Sequence, residues 1–223
     1  MSNIPSMSSG QSTEYSIIKK GAYPARLVKF VGFGMQEQQP YKGTPKAPAF
    51  KGLFLFELIG KTITATKGEE TKELPAVIMA SLNVFPGGSR GKTFELCEIL
   101  DDTLSAVPGN LDWFKEQLDK TLIVTVGTYV SKKDQKERNC YNGASAMLEG
   151  MEVGAATVDL VFFDPYDGGE EMKQVYDKRL PWERKVIGEA VDAQHIPFAG
   201  MEVTAQDVPN EDADDGAYYG STN

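Results

Sequence analysis

The alternation of hydrophobic and polar positions predicts the first strand of this chain at residues 22–33, AYPARLVKFVGF. Tyr23, Ala25 and Leu27 fall on one face of such a strand, because side chains alternate with a period of two residues. Lys29 falls on the same face and is the charged exception there. Pro24 lies near the start of the segment, where a strand tolerates proline.

The same patterns predict further strands and helices along the chain. The predicted strands are 50–59, 74–85, 121–130, 139–146 and 156–163, and the predicted helices are 89–100, 111–119 and 182–190. Residues 34–49 contain three prolines and two glycines and are predicted to form a long loop. Residues 60–73 are polar and are predicted to connect two strands of a hairpin.

The order of these elements predicts a mainly β fold. Five or six strands with a helical insert between the third and the fourth match an OB-fold, a five-stranded Greek-key barrel whose surface binds oligonucleotides. Other small barrels and sandwiches fit the same strand count. We expect residues 1–14 to form a disordered leader, 15–199 the OB-fold domain and 200–223 a disordered acidic tail, because both ends are polar.

Charge is distributed unevenly along the chain. The formal net charge is -9, yet eight acids and no base follow Lys185, so the rest of the chain is close to neutral. Residues 17–67 carry nine lysines and arginines against two acids. A basic front and an acidic end are typical of a nucleic-acid-binding surface combined with an acidic tail.

Aromatic residues are interleaved with these cations, a combination that suits single-stranded DNA because cations neutralise phosphates and rings stack on bases. The pattern occurs in residues 17–67 and 129–141, and the segment 86–93 adds two more cations. The candidate DNA-binding residues are Arg26, Lys29, Tyr41, Lys42, Lys46, Lys51, Phe54, Arg90, Lys92, Tyr129, Lys132, Lys133, Arg138 and Tyr141. The alternatives are a hydrophobic core for the aromatic residues and an ordinary solvated surface for the lysines.

The acidic tail is a second candidate for function. Its candidate partner-binding residues are Glu211, Asp212, Asp214, Asp215, Tyr218 and Tyr219. Acidic and aromatic residues together suit a basic, partly apolar pocket on another protein, and the same charges suit the chain's own basic surface when DNA is absent. A tail that serves only solubility is the alternative.

Residues for catalysis or for a metal are scarce in the sequence. One histidine, His195, and two distant cysteines, Cys97 and Cys140, do not assemble a zinc site. The segment 86–93, PGGSRGKT, has Pro86 where the phosphate-binding motif GxxxxGK[ST] begins with glycine. We therefore expect a chain that is not an enzyme and has no cofactor, no metal and, without an 18-residue apolar run, no membrane span.

Several short motifs resemble those of bacteriophage-encoded single-stranded DNA-binding proteins. The motifs are GAYPARLV at 21–28, GFG at 32–34, FLFEL at 54–58, LDKT at 118–121, FFDP at 162–165 and LPW at 180–182. The resemblance implies an OB-fold that coats single strands during phage replication, recombination and repair in the cytoplasm of the infected bacterial host. It also implies that the tail contacts phage or host replication and recombination proteins.

Two further points stay open on the sequence alone. A homo-oligomer is compatible with it. The alternative function is that of a phage structural or assembly protein whose small β-barrel packs against its neighbours.

Overall fold

The computed structural model describes residues 13–201 with the exception of 133, 149 and 152. The described strands are β1 Glu14–Tyr15, β2 Gly21–Tyr41, β3 Thr44–Lys67, β4 Glu70–Phe85, β5 Thr121–Val130, β6 Glu137–Ser145 and β7 Val161–Phe163. The described α-helices are α1 Lys92–Leu100, α2 Asp112–Glu116, α3 Glu170–Asp177 and α4 Pro181–Gly188, and a 3-10 turn spans Ala193–His195. None of these helices is long and apolar enough to cross a bilayer. The predicted leader lies outside the described residues up to residue 12, and its last residue, Glu14, begins β1.

The strands form one sheet, and the prediction of a mainly β chain is confirmed. The order β4-β3-β2-β5-β6 is antiparallel throughout, with β1 pairing to β3 and β7 running parallel to β2. The sheet contains seven strands within the described residues and is open, so the closed five-stranded barrel is not confirmed. Helices α1 and α2 lie between β4 and β5, where the helical insert was predicted.

The predicted loop at residues 34–49 is wrong, because β2 and β3 continue through it as a long hairpin. The chain reverses at Lys42 and Gly43, whose φ angles are 50° and 81°. Two successive positive φ angles match the twist of the flanking strands and permit a two-residue turn. The prolines that suggested a loop are therefore accommodated in the arms of the hairpin.

The core is built around stacked aromatic rings between the sheet and the helical insert. Phe30 on β2 stacks on Phe114 of α2 at 4.6 Å between ring centroids and meets the edge of Phe54 on β3 at 5.1 Å. Gly32 and Gly52 face each other on the same two strands. A side chain at Gly52 would lie 2.8 Å from the ring of Phe30, so glycine makes room for the ring there. The aromatic packing and the two glycines together explain the tight pairing of β2 with β3.

Helix α4 is joined to β2 by a buried ion pair. The Lys29 ammonium lies 3.2 Å from a carboxylate oxygen of Glu183, and the two side chains are 8% and 0% exposed. The same carboxylate accepts a hydrogen bond from the backbone N–H of Leu180 at the start of α4. Burial lowers the pKa of Lys29, more than the carboxylate of Glu183 raises it. The charged exception on the hydrophobic face of β2 is therefore explained by a partner far along the chain.

We expect Glu183→Ala to lower the free energy of unfolding by about 3–5 kcal/mol, because it leaves the Lys29 ammonium buried without its carboxylate. Urea denaturation measures the change. The control is Glu189→Ala at the exposed end of the same helix, which removes a 3.9 Å contact with Lys185 and should change stability by less than about 0.5 kcal/mol. Equal effects of the two substitutions would contradict this role of the buried pair.

Candidate nucleic-acid interface

A groove of about 880 Å³ lies between the outer part of the β2–β3 hairpin, the end of β4 and the segment that leads into α1. We call it the basic groove, and its cations are Lys46, Lys51, Arg90 and Lys92. All four were predicted from the sequence, where they lie in two segments separated by almost forty positions. The fold brings these two segments to a single surface.

Strand register and three hydrogen bonds fix the walls of the basic groove. Lys51 on β3 pairs with Asn83 on β4, whose side-chain N–H donates to the Gln38 carbonyl at 2.9 Å. The Thr93 hydroxyl donates to the backbone carbonyl of Asn83 at 2.6 Å. Gln38 in turn donates to the carbonyl of Ala47 across the hairpin. The two strands of the hairpin, β4 and the first turn of α1 are therefore tied together at one place.

The electrostatics of the groove favour an anion. Glu37 is the one acid in its lining, against four cations. Across residues 13–201, apart from the three gaps, none of the four cations forms an ion pair. The N-terminus of α1 also opens here at Lys92, and unpaired backbone N–H groups at a helix start add positive potential. Phosphates are the anions that such a surface suits best.

An exposed aromatic ring stands beside the groove. Tyr41 is 59% exposed at the tip of the β2–β3 hairpin. The ammonium groups of Lys42 and Lys46 lie 5.4 Å and 5.3 Å from the centre of its ring. Because Lys46 also lines the groove, ring and cations form one continuous surface. The core alternative therefore does not apply to Tyr41.

Two predicted stacking residues belong to the core, which corrects their assignment to a DNA-binding surface. Phe54 is fully buried and packs against Phe30 and Phe114. Tyr141 is 2% exposed and stacks on Phe56 at 5.5 Å. Burial also raises the pKa of the Tyr141 hydroxyl. Neither ring can stack on a base without unfolding part of the sheet.

Two predicted cations are likewise occupied within the protein. Lys29 forms the buried pair with Glu183 described above. Arg26 donates to the carboxylate of Asp119 at 3.0 Å and to the carbonyl of Gly154 at 2.8 Å, and its side chain is 15% exposed. Arg26 therefore holds the segment after β6 to the sheet. The burial of Lys29 corrects the prediction that it binds DNA, and for Arg26 DNA binding stays a prediction.

Three more predicted residues, Tyr129, Lys132 and Arg138, lie toward the other end of β2. Val126 of β5 pairs with Gly21, so Tyr129 lies beyond the first residue of β2, whereas the groove lies near its last residues. Lys132 is exposed in the turn after β5, and Arg138 pairs with Asp134 at 2.6 Å. The fold therefore does not bring Tyr129, Lys132 or Arg138 to the groove. Lys133 and the six residues of the tail lie outside the described residues.

Sequence reasoning missed the polar residues of the groove. Gln38 and Asn83 fix its shape, and Glu37 lines it. Uncharged polar residues within a strand carry no signal of their own in a single sequence. The strand register, which places Lys51 opposite Asn83, is the information that would have found them.

The segment 86–93 does not have the arrangement of a phosphate-binding loop with a metal ion. The Thr93 hydroxyl, which would hold the metal in such a loop, donates to Asn83 and is buried. Burial raises the pKa of the Cys97 thiol to about 12. In the described part of the chain, no three His, Cys, Asp or Glu residues are placed to hold a metal ion.

Comparison with protein families, with curated proteins and with solved structures finds no match. The interpretation of the groove therefore depends on its own residues. What these residues offer is a groove with four cations and an adjacent aromatic ring.

We expect Phe54→Ala and Tyr41→Ala to have opposite profiles. Phe54→Ala should lower the free energy of unfolding by about 3–5 kcal/mol, because it opens a cavity in the aromatic core. Tyr41→Ala should change it by less than about 0.5 kcal/mol, because the ring is exposed. Thermal or urea unfolding of both variants measures the difference, and a large loss of stability for Tyr41→Ala would contradict its placement on the surface.

Proposed function

We propose that this protein binds single-stranded DNA, without strong sequence preference, through the basic groove. The observation that carries the proposal is the conjunction of four cations without ion-pair partners among the described residues and the exposed ring of Tyr41. Non-specific binding to single strands needs cations that follow the backbone and rings that stack on bases. The groove supplies the cations, and Tyr41 supplies a ring at its border.

The connectivity of the sheet supports a more specific proposal about the fold, namely that it is related to the OB-fold. Five strands are joined in the order β4-β3-β2-β5-β6, and β4 lies close to β6 without pairing to it in the described residues. If these five strands are counted along the chain from β2, then β4 is the third and β6 the fifth. The order is that of a five-stranded barrel that is open between these two strands. OB-folds are partly open barrels, and their oligonucleotide surface lies on the second and third strands and the adjoining loops. By this count the groove lies on those strands, β3 and β4.

The size of the expected effect follows from the number of cations. Four neutralised phosphates give a salt dependence of about -3 in log affinity against log salt, because each contact on a single strand contributes about 0.7. A stacked base adds on the order of 1–3 kcal/mol. Binding should therefore be measurable at low salt and weaken steeply as salt increases.

We also propose the biological process in which this binding takes part. The resemblance to bacteriophage-encoded single-stranded DNA-binding proteins supports a non-enzymatic protein that protects single strands during phage replication, recombination and repair, in the cytoplasm of an infected bacterium. On this proposal, the acidic tail contacts phage or host replication and recombination proteins or competes with DNA for the groove. If the protein formed large assemblies and did not bind oligonucleotides, the alternative of a phage structural or assembly protein would be favoured.

We expect Lys51→Ala/Lys92→Ala to weaken binding to oligo-dT and to reduce the magnitude of the salt slope by about 1.4, because two phosphate contacts are lost. Fluorescence anisotropy with labelled oligo-dT over a series of salt concentrations measures both quantities. The control is Lys178→Ala/Lys185→Ala, which removes the same charge from exposed positions outside the groove. Equal losses in the two variants, or no binding by the unaltered protein at low salt, would refute the groove as the binding site.

Deleting residues 202–223 should strengthen binding to oligo-dT at low salt. The deletion removes six acids and no base, and therefore a charge that competes with phosphate for the groove. The difference should shrink at high salt, where charge interactions are screened. Unchanged or weaker binding by the shortened protein would contradict the competition.

A further inference from the structure

A second cleft, smaller than the basic groove, lies at the other end of β2. It has a volume of about 230 Å³ and is lined by Ser16–Lys19, Tyr23 and Lys61–Ile63. We call it the far-end cleft. The segment 16–18 lies between two strands, because Ser16 donates to Thr64 of β3 and Ile18 exchanges hydrogen bonds with Asn139 of β6. The cleft is therefore part of the folded sheet.

A tyrosine ring and a lysine meet in the far-end cleft as they do beside the groove. The ammonium of Lys61 lies 5.7 Å from the centre of the Tyr23 ring. The Tyr23 hydroxyl donates to the backbone carbonyl of Lys19 at 2.6 Å, which fixes the ring and satisfies its polar atom. The ring is partly exposed and borders the cleft, where it can contact another flat aromatic group. A nucleobase is such a group.

The charges of the far-end cleft are available for a ligand. Its lining contains Lys19 and Lys61 and no acid. Lys19, Lys61 and the adjacent Lys20 are exposed and form no ion pair with any residue that the structure describes. Other cations at this end do have acidic partners, since Lys136 lies 3.1 Å from Glu14. Lys19 and Lys61 therefore differ from Lys136 in having no acidic partner among the described residues.

The far-end cleft and the basic groove are separate sites, because no residue lines both. Tyr23 lies near the first residue of β2, and Gln38, which lines the groove, lies near the last. They are fifteen positions apart, which is at most about 50 Å along an extended strand. A ligand that contacts both sites must therefore be long and flexible, and must repeat its charges and rings along its length.

We infer that the far-end cleft is a second contact site for the same single strand of DNA, with Lys19 and Lys61 on phosphates and Tyr23 against a base. The inference rests on the function proposed for the groove. A strand that occupies the groove continues to the other end of β2 and is held there. A strand that covers the groove alone is too short to reach the cleft.

The test uses oligo-dT of two lengths, about 8 and about 40 nucleotides, which lie within and well above the site size of about 4–16 nucleotides of one OB-fold. The variant Lys19→Ala/Lys61→Ala should bind the short oligonucleotide as the unaltered protein does. It should bind the long one several-fold more weakly, with a salt slope smaller in magnitude by about 1.4. Fluorescence anisotropy at matched salt measures both, and an unchanged Tm shows that the variant is folded.

The control variant is Lys67→Ala/Lys72→Ala, which removes two exposed cations from the ends of β3 and β4 that flank their turn and that do not line the cleft. It should leave the binding of both lengths unchanged. The inference is overturned if the cleft variant binds the long oligonucleotide normally, if it loses both lengths equally, or if the control loses as much. Failure of the unaltered protein to bind either length overturns the proposed function itself, so the two failures are distinguishable.

Discussion

The structure depends on the pairing of β2 with three other strands. Its first six residues pair with β5, its residues from Ala25 to the hairpin turn pair with β3, and Lys29–Val31 also pair with the short parallel strand β7. One strand therefore carries the hydrogen bonds that join the two halves of the sheet. Bulges allow the change of partner along its length, because an extra residue bends the strand and increases its twist.

This central strand also separates the charged surfaces. The hairpin carries Tyr41 and Lys46 to one end, while Tyr23 and Lys61 lie at the other. Between these ends the strands are covered by the helices and by the segment that Glu57 binds through the backbone of Thr157 and Val158. The basic front that the composition shows is thus divided by the fold into two surfaces, with the aromatic core between them.

The sequence predicts a strand well where hydrophobic and polar residues alternate regularly. It does not predict a feature, such as a tight turn, that depends on an unusual backbone conformation. The predicted strand at 121–130 is confirmed. Its signal is clear because β-branched residues alternate along it. The hairpin turn at Lys42 and Gly43 was missed because lysine rarely adopts a positive φ. Phe54 lies in an apolar strand and could have been core or surface from the sequence alone, and its packing against Phe30 and Phe114 makes it core. The carboxylate that explains Lys29 lies more than 150 residues away, beyond any local pattern.

The hydrogen bonds of Asn83 have a consequence for the energetics of association. They join Gln38 on the hairpin and Thr93 on α1 to one residue of β4, so the groove has its shape before any ligand arrives. A preorganised surface loses little side-chain and loop entropy when it is occupied. Its open, cationic form also draws a polyanion in by long-range attraction. If the groove binds single-stranded DNA as proposed, we expect encounter by diffusion, rather than rearrangement of the protein, to limit the rate of association.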